Sequence, residues 1–209
     1  MRDPFPDYDV LGKRDTPSWN DQTRAVIDQR GGLKPPQETL GGIRLATLRR
    51  VVERLCPDPE GRPPTTTYAM VAHKIAADDR DGFRHHALPG TRECWLRGLD
   101  AIEAEARACH ELAYAALGDD QADQLLRAIS RGEVRAPEWA TLPPTTFWSW
   151  RLVPDCVAAH WAQPSLWSAM GFGGPAGPRG YVRTGPDRRD PWEAIESGEK
   201  LRGLPRHRG

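Results

Sequence analysis

Apolar residues recur at three- and four-residue spacing through most of this chain, and no stretch alternates convincingly with period two. Leu45, Leu48, Val51, Val52 and Leu55 predict a helix from about Glu38 to Leu55 with one buried face, its first turns weakened by Gly41-Gly42. A shorter helix is expected before it, N-capped at Ser18 and running to about Arg30, where Gly31-Gly32 end it. Thr66–Ala77 reads as a further helix, followed by the loop DDRDGFRHHALPG. Trp95, Leu99, Ile102, Ala106, Cys109, Ala113 and Ala116 form a narrow heptad-like seam, which predicts the longest helix from about Thr91 to Leu117, closed by Gly118. Asp119 or Asp120 then caps a helix bearing Leu125, Leu126 and Ile129, ended by Gly132. Pro143-Pro144 introduce a last long helix, Thr145 to about Trp161, in which Pro154 should make a kink or a break.

Both ends depart from this pattern. Residues 1–18 are polar, dotted with aromatics and proline-bearing, and read as an extended arm. The stretch Ala162–Arg183 is read as a shaped loop, and from Gly171 onward Gly, Pro and Arg dominate. The expected architecture is all-α: a helical bundle over 19–170, with irregular arms at 1–18 and 171–209, the second Gly/Pro-rich. An arm that buries little of its own apolar surface orders best against something else.

The 209 residues suffice for a real core, and the formal net charge of zero gives no support for nucleic-acid binding. No apolar run approaches the length of a membrane span. The start MRDPFPDYDVLGKRD has no apolar stretch after its basic residue, so neither a Sec nor a twin-arginine signal is expected there. That suggests a cytoplasmic protein, or a periplasmic one where an exported partner carries it.

Candidate chemistry is sparse. Cys56, Cys94, Cys109 and Cys156 lie in no CxxC or CxxCH, which argues against zinc modules and covalent c-type haem. They read as buried small hydrophobes, with a disulfide as the alternative in an exported chain. His85-His86 read as surface side chains and His160 as a partly buried, hydrogen-bonded one. Glu103, Glu105 and Glu111 read as the solvated side of the long helix, and no Glu-x-x-His pair accompanies them. No GxSxG elbow occurs, and Gly171, Gly173, Gly174 and Gly177 do not fit G-x-G-x-x-G. No catalytic, metal or cofactor residues are therefore expected. The eight tryptophans stand out, with Trp148, Trp150, Trp161 and Trp167 crowded near one helix and its exit. Trp148 and Trp150 cannot share one helix face, so interface and internal packing are both open.

Three blocks carry a resemblance to a known family. They are FPDYDVLGKRDTPSWND at Phe5–Asp21, LPGTRECWLRGLDAIEAEA at Leu88–Ala106, and WAQPSLWSAMGFGGPAGPRGYVR from Trp161 with RRDPWEA at Arg188–Ala194. Together they resemble the gluconate 2-dehydrogenase subunit 3 family. The resemblance implies a small accessory subunit that assists folding, stability or export of a large flavoprotein of the glucose-methanol-choline type. That partner holds FAD and oxidises a sugar, sugar acid or polyol, and some complexes add a multihaem cytochrome c. Many members carry a twin-arginine signal; this chain departs there, and at His160-Trp161 and Gln163, where tyrosines and a histidine are expected.

On this reading the 1–18 arm and the Gly171–Arg183 loop contact the flavoprotein. Trp167, Phe172 and Tyr181 are the expected apolar anchors, and Arg179 and Arg183 pair with carboxylates. Gly173, Gly174, Pro175 and Trp192 complete the expected interface. The alternative class is an independent enzyme or carbohydrate-binding helical domain, since tryptophans stack on sugars.

Overall fold

The three-and-four spacing is realised as helix over most of its extent, though not at Ala113 and Ala116. The computed structural model describes residues 3–79, 82–177, 180 and 190–195. The fold is all-α, with no strand among the described residues. The helices are α1 (Asp21–Gly31), α2 (Gln37–Leu55), α3 (Thr67–Ala77), α4 (Thr91–His110), α5 (Asp119–Arg131), α6 (Pro144–Phe147), α7 (Val153–Trp161) and α8 (Pro164–Ala169). Among the described residues no helix is long and apolar enough to cross a membrane.

The chain divides into two compact units. One holds Leu33–Pro57 and Thr66–Trp161. The other gathers the described residues of Met1–Gly32, Asp58–Thr65 and Ala162–Gly209. The composition boundaries at 18/19 and 170/171 do not coincide with this partition. Each unit has its own apolar cluster, around Trp95, Leu99 and Phe147 in the first and Tyr8, Val10, Trp19, Ile27 and Trp167 in the second.

In the first unit, Gly41 interrupts α2 near its start with φ 71° and ψ 164°, a conformation open to glycine and strained for other residues. α3 and α4 cap each other. The Asp78 carboxylate accepts the Arg92 amide at the start of α4, while the Arg92 guanidinium donates to the Ile75 and Ala76 carbonyls at the end of α3.

α4 stops at His110, earlier than the seam suggests, because Glu111 turns left-handed at φ 59°. The buried Glu103 carboxylate accepts the Tyr114 amide at 3.0 Å, and the chain folds back to bury the Tyr114 ring. Ala113 and Ala116 thus lie beyond the helix, and Gly118 is the N-cap of α5 rather than the end of α4. Gly98 of α4 lies against the Phe147 ring, where a Cβ would sit 2.2 Å from Cζ.

Pro154 neither breaks nor ends its helix. α6 and α7 run on through a π turn, Trp148–Leu152, whose widened loop carries the Val153 amide to the Trp148 carbonyl. The turn just before the proline accommodates its missing N–H and its ring.

The second unit replaces the extended arm of the sequence reading with folded structure. Asn20, not Ser18, caps α1 through the Thr23 amide. Val10–Lys13 form a 3₁₀ turn packed with α8. The Arg62 guanidinium gathers the Asp3 carboxylate and the Phe5 and Tyr8 carbonyls. Burial pushes the Asp3 carboxyl up, but hydrogen bonds from Arg62 and the Phe5 amide outweigh it and hold it below the usual range.

Candidate functional site

The Gly/Pro-rich turn begins with a helix, not a loop: Pro164, at N1, starts α8. Trp167 projects from α8 inward and is 5% exposed, inside the smaller core. The chain then turns at Gly171, whose φ is 69° and whose Cα faces the Phe5 ring. The Phe172 amide donates to the Trp167 carbonyl at 2.8 Å, and the two rings meet edge to face at 6.1 Å. Phe172 is 45% exposed. Gly174 (φ 64°) is buried, and a Cβ there would meet Trp167 at 3.0 Å and Val10 at 3.3 Å.

The Lys13 side chain and backbone amides of the N-terminal segment hold α8 and this turn. Lys13 Nζ donates to the Gly173 carbonyl at 2.6 Å, and the Asn20 amide to the Gly177 carbonyl at 3.2 Å. Ser168 Oγ accepts the Val10 amide at 3.0 Å and donates to the Pro164 carbonyl at 3.0 Å. Pro175 is exposed and Trp192 half-buried. Arg179, Tyr181 and Arg183 lie outside the described residues.

The larger unit conceals a polar centre that the sequence reading missed. Asp155 on α7 accepts Lys74 Nζ at 2.8 Å and Trp95 Nε1 at 2.7 Å, with Arg151 Nη1 at 3.4 Å. Glu103 and Glu105 are also buried, which corrects their assignment to a solvated face. Glu105 accepts the Arg135 and Ala136 amides at 2.8–3.0 Å, and Glu103 accepts the Thr47 hydroxyl as well as the Tyr114 amide. Position alone carried a signal: Glu103 falls four residues after Leu99 and three before Ala106, on the buried face. These carboxylates serve as internal acceptors for loop amides and buried cations.

His160 is buried and shares a 3.1 Å hydrogen bond with Thr67, as its sequence context suggests. Cys56, Cys94 and Cys156 are buried and free; Cys109 is free but exposed, contrary to expectation. Burial pushes the Cys56 and Cys94 thiols up to about 11, which suppresses thiolate at neutral pH. Among the described residues no three His, Cys, Asp or Glu side chains gather as a metal-ion site. A groove of about 480 Å³ lies between the start of α2 and α4, and its charged walls are paired as Arg44–Asp100 and Arg107–Glu103.

Phe83, Trp150 and Trp161 point outward from the larger unit. Trp150, on the π turn, meets Phe83 at 5.7 Å and His85 at 5.4 Å, and His85 stacks on His86.

The family model described as gluconate 2-dehydrogenase subunit 3 matches residues 44–174, well over half of the chain. The chain belongs to the gluconate 2-dehydrogenase subunit 3 family. Its matched span runs from α2 to Gly174, so it takes in the polar centre, the π turn, α8 and the start of the Gly-rich turn. The Leu88–Ala106 block lies wholly within the subunit 3 match and the Phe5–Asp21 block wholly outside it. No curated protein and no solved structure matches the chain.

Proposed function

We propose that this chain is a non-catalytic small subunit that binds and stabilises a large FAD-dependent dehydrogenase subunit acting on a sugar, sugar acid or polyol. The observation that carries this reading is family membership, since the family is that of a dehydrogenase subunit. The large subunit, of the glucose-methanol-choline type, holds the FAD, and a cytochrome c joins some complexes. The pair assembles in the cytoplasm, with transfer to the periplasm where the large subunit is exported.

The local geometry supports a binding role over a catalytic one. Phe5, Val10 and Trp167 fill the space beside Gly171 and Gly174, so these two glycines serve close packing within the chain. The buried carboxylates at Glu103, Glu105 and Asp155 are engaged by this chain's own donors. In the proposed complex Phe172 and Pro175 face the partner together with Arg179, Tyr181, Arg183 and Trp192. Trp167, Gly173 and Gly174 shape the turn from within.

The test is co-expression with the glucose-methanol-choline-type flavoprotein encoded nearest to this chain, followed by size exclusion read at the flavin band. Co-elution, with soluble flavin-loaded partner and dye reduction that vanish when this chain is omitted, is the expected result. Separate elution with full partner activity in its absence overturns the reading.

A further inference from the structure

The helical run from Pro144 to Trp161 has its polarity inverted. Its charged and histidine side chains are Arg151, Asp155 and His160, and all three are buried. Among its exposed positions Trp150, Pro154, Val157 and Trp161 are spaced four, three and four apart, which is one helical face, and the other exposed positions, Thr145, Ser149 and Ala158, are uncharged. Trp150 is 48% exposed and Trp161 50%, and Phe83, packed on Trp150, is 66% exposed. A helix at an ordinary water-facing surface shows the opposite arrangement, with charges outside.

With about 200–250 Å² for each aromatic side chain, these groups leave roughly 400 Å² of apolar surface in water. That reaches the patch size which marks interaction sites, and is about half of one partner's share in a standard protein–protein interface. Tryptophan enrichment and charge depletion are the composition of an interface core.

We infer that this face, Phe83 with Trp150, Pro154, Val157 and Trp161, docks on the dehydrogenase subunit, an inference that rests on the accessory-subunit reading above. Three observations select that occupant. The whole face lies inside the span that the family model matches, 44–174, and the family is that of a dehydrogenase subunit. Its helical positions carry no charge, so it fits an equally uncharged patch on a protein. For the same reason the helix offers no Lys or Arg to the phosphates of an anionic bilayer.

The experiment measures the affinity of purified full-length chain for the flavoprotein encoded nearest to it, for wild type and for Trp150→Ala combined with Val157→Glu. Circular dichroism and thermal melting check that the variant is folded. A Pro175→Ala variant, altering the other proposed contact region, runs alongside. The expected result is wild-type binding that the double variant weakens at least thirtyfold with an unchanged melt. Should the double variant melt early, Trp150→Tyr and Val157→Lys, each tested singly, must weaken binding at least threefold and tenfold respectively. Wild-type binding that these substitutions leave intact overturns this inference while the accessory-subunit reading stands. Absence of wild-type binding overturns both. Two further controls use the chain alone: self-association by sedimentation, and flotation with phosphatidylcholine–phosphatidylglycerol vesicles. If either is present in wild type and lost in the double variant, the face belongs to a second copy or to a membrane, and the inference falls.

Discussion

The Lys13 ammonium and the Gly173 carbonyl meet at 2.6 Å although 160 residues separate them in the chain. Lys13 is 1% exposed, so its charge is held inside the small unit that the two chain ends build together. A buried ammonium needs acceptors, and the carbonyl of the Gly-rich turn supplies one. Lys13→Met keeps the apolar stem and removes the donor. It is expected to cost about 1–3 kcal/mol. Limited proteolysis should then cut the 171–177 turn sooner, whereas an unchanged cleavage rate would show that Trp167 and Phe5 suffice to hold it.

Gly98 packs directly against the Phe147 ring in the larger unit. A Cβ on residue 98 would overlap the Phe147 ring at 2.2–2.8 Å, and that ring is fully buried against Trp95 and Trp139. Gly98→Ala gains helix propensity of about 1 kcal/mol, but the forced repacking costs more. A net loss of up to about 2 kcal/mol is expected in urea denaturation. Combining it with Phe147→Leu should recover part of that loss.

Asp155 meets both Lys74, at 2.8 Å, and Arg151, at 3.4 Å. Asp155→Asn retains an acceptor for Trp95 Nε1 but removes the negative charge that faces Lys74 and Arg151. Breaking a buried pair in this way costs about 3–5 kcal/mol, and the half-covered Lys74 places the expectation near the lower end. A chemical-denaturation midpoint equal to wild type would show that the centre is hydrated enough to tolerate the excess charge.

Acid should weaken the packing of α2 on α5. The Asp119 and Asp123 carboxyls are held below the usual range by hydrogen bonds from Arg50 and Arg54 respectively, and Arg54 is raised in turn, with Asp123 as its main partner. Because the folded values lie below the unfolded ones, this stabilisation is fully present above about pH 4 and is lost as pH falls through the folded values. Thermal melts should be level from about pH 5 to 7 in this respect and decline below about pH 4, and Arg54→Met should flatten that decline. High salt should mimic part of the effect, since these pairs face solvent.

Local periodicity sufficed for the helical class, for α2, α3 and α5 within a residue or two, and for His160 as a buried, bonded histidine. These follow from spacing and caps, which are properties of neighbouring residues. The sequence also identified the family through its ordered Gly, Pro and aromatic blocks. What tertiary structure alone decided involves partners far along the chain. α4 ends at His110 because a buried Glu103 draws the Tyr114 amide back, so a seam that continued in sequence did not continue in space. The terminal segment became a core because Lys13, Val10 and Phe5 found the 168–174 turn, a closure no local window contains. Glu103, Glu105 and Asp155 went inside because loop amides, Lys74 and Trp95 were waiting there to replace water. The outward turn of Trp150 and Val157 follows from the same exchange: once Arg151, Asp155 and His160 took the interior, the opposite face of that helix was left to the apolar side chains.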